Sequence, residues 1–192
     1  MAKKQIIIIF IVLILGLGAY YLYNSNNREN VFKYNGYDIY QTAPTVYNIK
    51  FFLKNDINPH YISIRYDPRD LDYIKVEPDL KQRLLRDEVY ITLSPELTSE
   101  SVIGVAEIAK IVGNQFLFNT PVKTALTYKK EDISVITCDN VTVKTSVMIL
   151  QLAEKTGVYE DSDCIIVEGP TEEEIIKAST KFILDILGIA KK

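Results

Sequence analysis

From Ile6 to Tyr23 the chain runs IIIIFIVLILGLGAYYLY, 18 consecutive residues without a charge or a side-chain amide. A helix of that length spans ~27 Å, close to the ~30 Å hydrocarbon core of a bilayer. Four consecutive isoleucines leave no polar face, so the run does not read as an amphipathic helix of a globular core. Lys3 and Lys4 precede it, and Tyr20, Tyr21 and Tyr23 close it like an interfacial aromatic belt. Positive residues stay cytoplasmic. The expected order is therefore a cytoplasmic tail at 1–5, a transmembrane signal-anchor helix at 6–23, and the remainder outside the cell membrane, single-pass. Two other leaders share the charge pattern. A cleaved signal peptide ends on small residues, for which Gly16 and Gly18 are candidates, but the apolar run continues past them. A pilin-type leader carries a small residue where Lys4 precedes Gln5 here. The uncleaved anchor is the expectation.

Residues 24–30, NSNNREN, are polar and aperiodic and read as a short stalk. Two of the 22 Lys and Arg residues lie before the stalk, so 20 face 25 Asp and Glu beyond the anchor, a formal charge of about −5. That balance argues against a nucleic-acid surface, which needs a basic patch. The expected partners are membrane lipid, through the N-terminal helix, and another envelope protein or a second copy of the chain.

The fold class expected after the anchor is α+β, a mixed α/β sheet with helices packed on it. Residues 31–70 form a β-rich subdomain: VFKYNGYDIYQ, TVYNIKFFLKN and YISIRYD are rich in β-branched and aromatic residues. Asn35-Gly36 marks a hairpin between the first two strands, and the sheet should be antiparallel. Residues 71–192 form an α/β subdomain. Pro78–Arg86 predicts a short helix with Pro78 in its first turn and Leu80, Leu84 and Leu85 on one face. Strands are expected at Val89–Leu93, Ile133–Thr137, Ser146–Leu152 and Cys164–Val167, with Gly157 as a turn between the last two. Between Glu100 and Gly113 the apolar positions cover more than one helix face, which predicts a central, mostly buried helix. Thr171 with Glu172, Glu173 and Glu174 reads as a capping box. Ile175, Ile176, Ser179, Phe182, Ile183, Ile186 and Leu187 then repeat at helical spacing up to Gly188, a helix that should lie on the sheet.

The chemistry-bearing residues are few. Cys138 and Cys164 are the two cysteines, each at an expected strand boundary. Outside the membrane such a pair forms a disulfide, closing a loop worth roughly 3 kcal/mol. It requires antiparallel neighbouring strands, or a loop that carries one cysteine back. A Cys138 nucleophile would need the sole histidine, His60, which sits beside a proline turn. Asp67 and Asp70 form a potential acid–base pair, but Arg65 and Arg69 interleave with them and favour a salt-bridged loop. Gly169-Pro170 precedes a helix, the place for a bound anion, yet three glutamates in that first turn repel one. Asn140-Val141-Thr142 is a glycosylation sequon. No metal-ligand spacing and no nucleotide fingerprint is present, so no cofactor is implied. Tyrosine numbers 13, eight of them between Tyr34 and Tyr90, and suits sheet packing or a binding surface.

The segments ITCDNVT, DCIIVEG and TEEEIIKASTKFILDILGI resemble a group of archaeal single-pass membrane-anchored proteins with an extracytoplasmic α/β domain, over about Val89 to Ile189. The resemblance implies the location and supplies no catalytic residue. The functional expectation is an extracytoplasmic binding or structural protein of the cell envelope rather than an enzyme. The alternatives are an envelope hydrolase using Asp67, Asp70 or Asp139, or an accessory subunit of a membrane complex.

Overall fold

The computed structural model describes residues 14–18, 30–53, 56–130 and 132–190. Residues 14–18 are helical and exposed. The rest of the expected anchor at 6–23, the tail at 1–5 and residues 24–29 of the stalk lie outside the described residues. No helix among the described residues is long and apolar enough to cross a membrane. Asn30, expected at the end of the stalk, opens the first strand instead.

Four strands, β1 (Asn30–Tyr34), β2 (Tyr37–Ala43), β3 (Val46–Phe52) and β4 (Pro59–Ile64), form an antiparallel meander in sequence order. The hairpin between β1 and β2 turns at Asn35 and Gly36, with φ of 46° and 88°. Both central residues are left-handed, as a type I′ turn requires. The Asn35 amide also donates to the carbonyls of Ile189 and Ala190, at 3.1 and 3.0 Å, and so ties the C-terminus to this sheet. Ile39, Ile49, Ile62 and Ile64 alternate inward and are buried. Tyr61 and Ser63 point outward.

The second sheet has six strands in the order β5-β9-β10-β8-β6-β7: β5 (Lys75–Val76), β6 (Glu88–Leu93), β7 (Val122–Leu126), β8 (Thr145–Leu152), β9 (Gly157–Asp161) and β10 (Cys164–Gly169). Its pairs are parallel except β9 with β10. The apolar runs of β8 and β10 are buried on both faces, the usual property of strands in a parallel sheet. Gly157 opens β9 instead of making a turn. The turn falls at Ser162 and Asp163, whose φ values of 51° and 65° close the β9–β10 hairpin. Ile133–Thr137 is also not a strand. Val135 makes one isolated bridge to Leu126, and the chain then crosses the sheet's far face instead of extending it.

Two helices, α1 (Val102–Val112) and α2 (Glu172–Ile186), lie between the sheets. One apolar cluster joins Ile39 and Ile49 of the first sheet, Ile108 and Phe182 of the helices, and Ile91, Met148 and Ile165 of the second. The segments 31–70 and 71–192 therefore share a core. α2 is buried nearly all round, including Ser179, Thr180 and Lys181, because each side meets a sheet or α1. The buried Lys181 ammonium meets the Asp72 carboxylate at 3.2 Å, and the Tyr34 hydroxyl donates to the same oxygen at 2.6 Å. Gly104 lets α1 approach: a Cβ there would stand 2.7 Å from Ser179 Oγ.

Thr171 caps α2, its hydroxyl accepting from the Glu174 amide at 3.2 Å. The Glu174 carboxylate instead accepts hydrogen bonds from Tyr73, Thr156 and Lys177, so its side chain serves tertiary packing. Pro78–Arg86 shrinks to a 3-10 turn over Leu80–Leu85 that begins after Pro78, with Leu85 left 58% exposed. The helix before Gly113 is not buried on all its apolar faces: Val102 and Ala106 are exposed.

Candidate functional site

Cys138 and Cys164 are bonded, with Cα atoms 5.4 Å apart. Cys138 stands in a 3-10 turn (Cys138–Asn140), not at a strand end. β8 and β10 are parallel, so it is a loop that returns one cysteine to the start of β10. The bond fastens that loop over Val147, Ile149 and Ile166, a small apolar cluster on the far face of the second sheet. The bonded sulfur leaves no thiolate nucleophile. His60 instead meets Asp56 at 2.7 Å, and its ring packs between those of Phe51 and Phe116.

Of the acidic candidates, Asp67 and Asp70 stand at one 3-10 turn, Asp70 exposed, and Asp139 stands in another. Asp67 caps the 3-10 turn Pro68–Leu71 and holds Arg69 through the guanidinium. Burial raises the Asp67 carboxyl, but the hydrogen bonds from Arg69 outweigh it and keep the group below its ordinary range. Asp139 is exposed in the disulfide turn. Asn140 is exposed too, and its Oδ1 accepts from the Thr137 amide at 2.9 Å. Ahead of α1 lies a carboxylate of the protein's own. Glu172 accepts from the backbone and hydroxyls of Thr98 and Ser101, at 2.8 to 3.1 Å. Burial pushes Glu172 up, and these donors more than reverse it, so its carboxyl lies below the usual range. Among the described residues, no three His, Cys, Asp or Glu side chains gather as a metal site.

An apolar concave surface lies elsewhere, under the edge of the first sheet. β4 pairs with β3 and, among the described residues, has no strand on its other side. Beneath that edge runs a groove of about 360 Å³ between β4 and the outer face of α1. Val46, Ile62 and Ile64 line one wall, and Ile103 and Ala106 the other. Ile62 also lines a second hollow of about 310 Å³, shared with Phe51, Phe52, Phe116 and Phe118. Ile62 of β4 thus borders both hollows. Phe52 and Phe116 are 59% and 62% exposed, which makes this end an open aromatic surface.

Glu107 of α1 is the one carboxylate lining the first hollow, with its side chain 19% exposed. Arg65 Nε stands 3.4 Å from it, and the Thr180 hydroxyl donates to it at 3.2 Å. Burial raises the Glu107 carboxyl above its ordinary range, and the nearby Arg65, Thr180 and Lys110 only partly offset that. A shifted carboxyl in an apolar cleft is a recognised mark of a functional site. Sequence reasoning missed it because Glu107 lies in a helix with no motif. The available signal was the excess apolar face of α1, which here borders the groove. A scan against protein-family models, a search of curated proteins and a search of solved structures found no match to this chain.

Proposed function

We propose that the chain is a membrane-anchored extracytoplasmic binding protein, and that the groove between β4 and α1 holds its ligand. The apolar run at 6–23 and the positive charges before it support the anchor. The disulfide supports an oxidising compartment. The observation that carries the binding reading is an apolar helix face left open beside a sheet edge that no described residue pairs. Burying such a face is worth about 25 cal/mol per Å², so a ligand that covers it gains affinity. Acid–base hydrolysis is less well supported: Glu107 is hemmed in by Arg65 and Thr180, and proton transfer in both directions needs a second group.

The test is purification of the detergent-solubilised full chain from its native membrane, beside an Ala106→Trp variant that fills the groove. Ala106 is exposed, so the variant should keep its melting temperature. The expected result is a bound component present with the unaltered chain and missing from the variant. Identical sets of bound components would overturn the assignment of the groove.

A further inference from the structure

We infer that the groove takes an extended polypeptide segment carrying acidic residues, which adds to β4 as a further strand of the first sheet. This rests on the binding role proposed above and names its ligand class. The strand edge supplies the first argument. β4 spans six residues, Pro59–Ile64, and among the described residues its backbone pairs on one side only. An unpaired strand edge offers a row of N–H and C=O groups that an extended chain satisfies and most small molecules do not. Natural edges are blunted by bulges, inward charges, prolines or covering loops; β4 pairs in regular register from Tyr47↔Ile64 to Phe52↔Pro59, with a proline at its first residue only.

The hollows supply the second argument. A strand turns every second side chain to the same face. A segment alongside β4 would direct alternate side chains beneath the sheet, into the space bounded by Ile62, Ile103 and Ala106. The hollow at Phe52 and Phe116 would receive the far end of the same segment, since Ile62 borders both. A second copy of β4 does not serve as well. Its own inward residues, Ile62 and Ile64, are 6% and 3% exposed within its own core and have nothing left to put into the groove.

Charge supplies the third argument. The chain as a whole is acidic, with formal charge −3. The groove runs against that balance. Arg65 and Lys110 line the first hollow and Lys81 the second, against the single carboxylate of Glu107. A segment with carboxylates at both ends is complementary to this pattern, and like-charged segments are disfavoured.

The probe is a fluorescein-labelled ten-residue peptide with valine at alternate positions, threonine between them and aspartate at both ends. Its anisotropy is followed against the full chain in detergent. Three companions are measured: the same peptide with lysine at both ends, and the acidic peptide N-methylated at alternate residues in each of the two registers, so that one edge or the other cannot pair. The acidic peptide should bind about tenfold tighter than the lysine peptide at low salt, and Lys110→Glu should erase that preference. Of the two N-methylated registers, one should lose binding and the other keep it. Ala106→Trp should abolish binding of all. Equal affinity for acidic and lysine peptides, or indifference to N-methylation in both registers, overturns the inference. So does a stable dimer that blocks peptide, or groove-dependent binding of phosphatidylcholine vesicles in its place. If Ala106→Trp loses a native component while no peptide binds, the groove remains the binding site and the peptide class is refuted. If neither changes, both readings fall.

Discussion

Reducing the bond between Cys138 and Cys164 should cost stability in a way that can be worked out in advance. The sequence separation is 26 residues. Closing a loop of that length removes about 12 cal/mol/K from the unfolded chain, or about 3.5 kcal/mol at 25 °C. For a domain of this size each kcal/mol shifts the melting temperature by about 2–4 °C, so reduction should lower it by about 7–14 °C. The loss should also have a place. The bond holds the turn at Cys138 over Val147, Ile149 and Ile166, a cluster separate from the main core. Without it, backbone amides of 134–142 should exchange faster before the rest of the molecule opens. The assay is thermal unfolding of the full chain in detergent, followed by tyrosine fluorescence with and without reductant at neutral pH, paired with hydrogen exchange. The double variant Cys138→Ser, Cys164→Ala should reproduce the reduced state. A melting temperature that moves by less than about 2 °C, with unchanged exchange over the turn, would refute both the loop-closure argument and the role of the bond in covering that face.

Phe182→Ala should cost about 3–5 kcal/mol, because Phe182 is fully buried between the layers, whereas Glu173→Ala, at an exposed ion pair with Lys177, should cost little; equal losses by denaturant unfolding would mean α2 is not docked as described. Glu172→Ala removes the acceptor for Thr98 and Ser101 ahead of α1 and should cost about 1–2 kcal/mol. Because the Glu172 carboxyl is held low, that contribution is complete above the unfolded pKa and disappears as pH falls through the folded one, so the variant and the unaltered chain should converge in acid. Glu107 has the opposite sign. Its carboxyl is raised, so its stabilisation is complete at low pH and is lost as pH rises through the folded pKa. Glu107→Gln should therefore gain in melting temperature relative to the unaltered chain on going from pH 4 to pH 8, and a constant difference would contradict the burial argument.

Local chemistry alone determined a good part of this protein. The Asn35-Gly36 turn, the Thr171 cap and the apolar period of α2 each depend on residues close in sequence, and each stands where local rules put it. The cysteine pairing was legible because only one intramolecular partner existed for each. What the sequence could not decide was which surfaces would meet. Gly157 suits a turn, but Ser162 and Asp163 took that role once β9 found β5 and β10 as neighbours. Ile133–Thr137 has strand-forming residues, yet the disulfide turn draws it across the sheet. The outer face of α1 is the clearest case. Its composition calls for burial all round, and hydrophobicity is a property of each residue. Burial depends on whether another element arrives to cover that face. β4 ends the sheet above α1, no further strand follows it among the described residues, and an apolar face that composition assigns to the core becomes the wall of a groove.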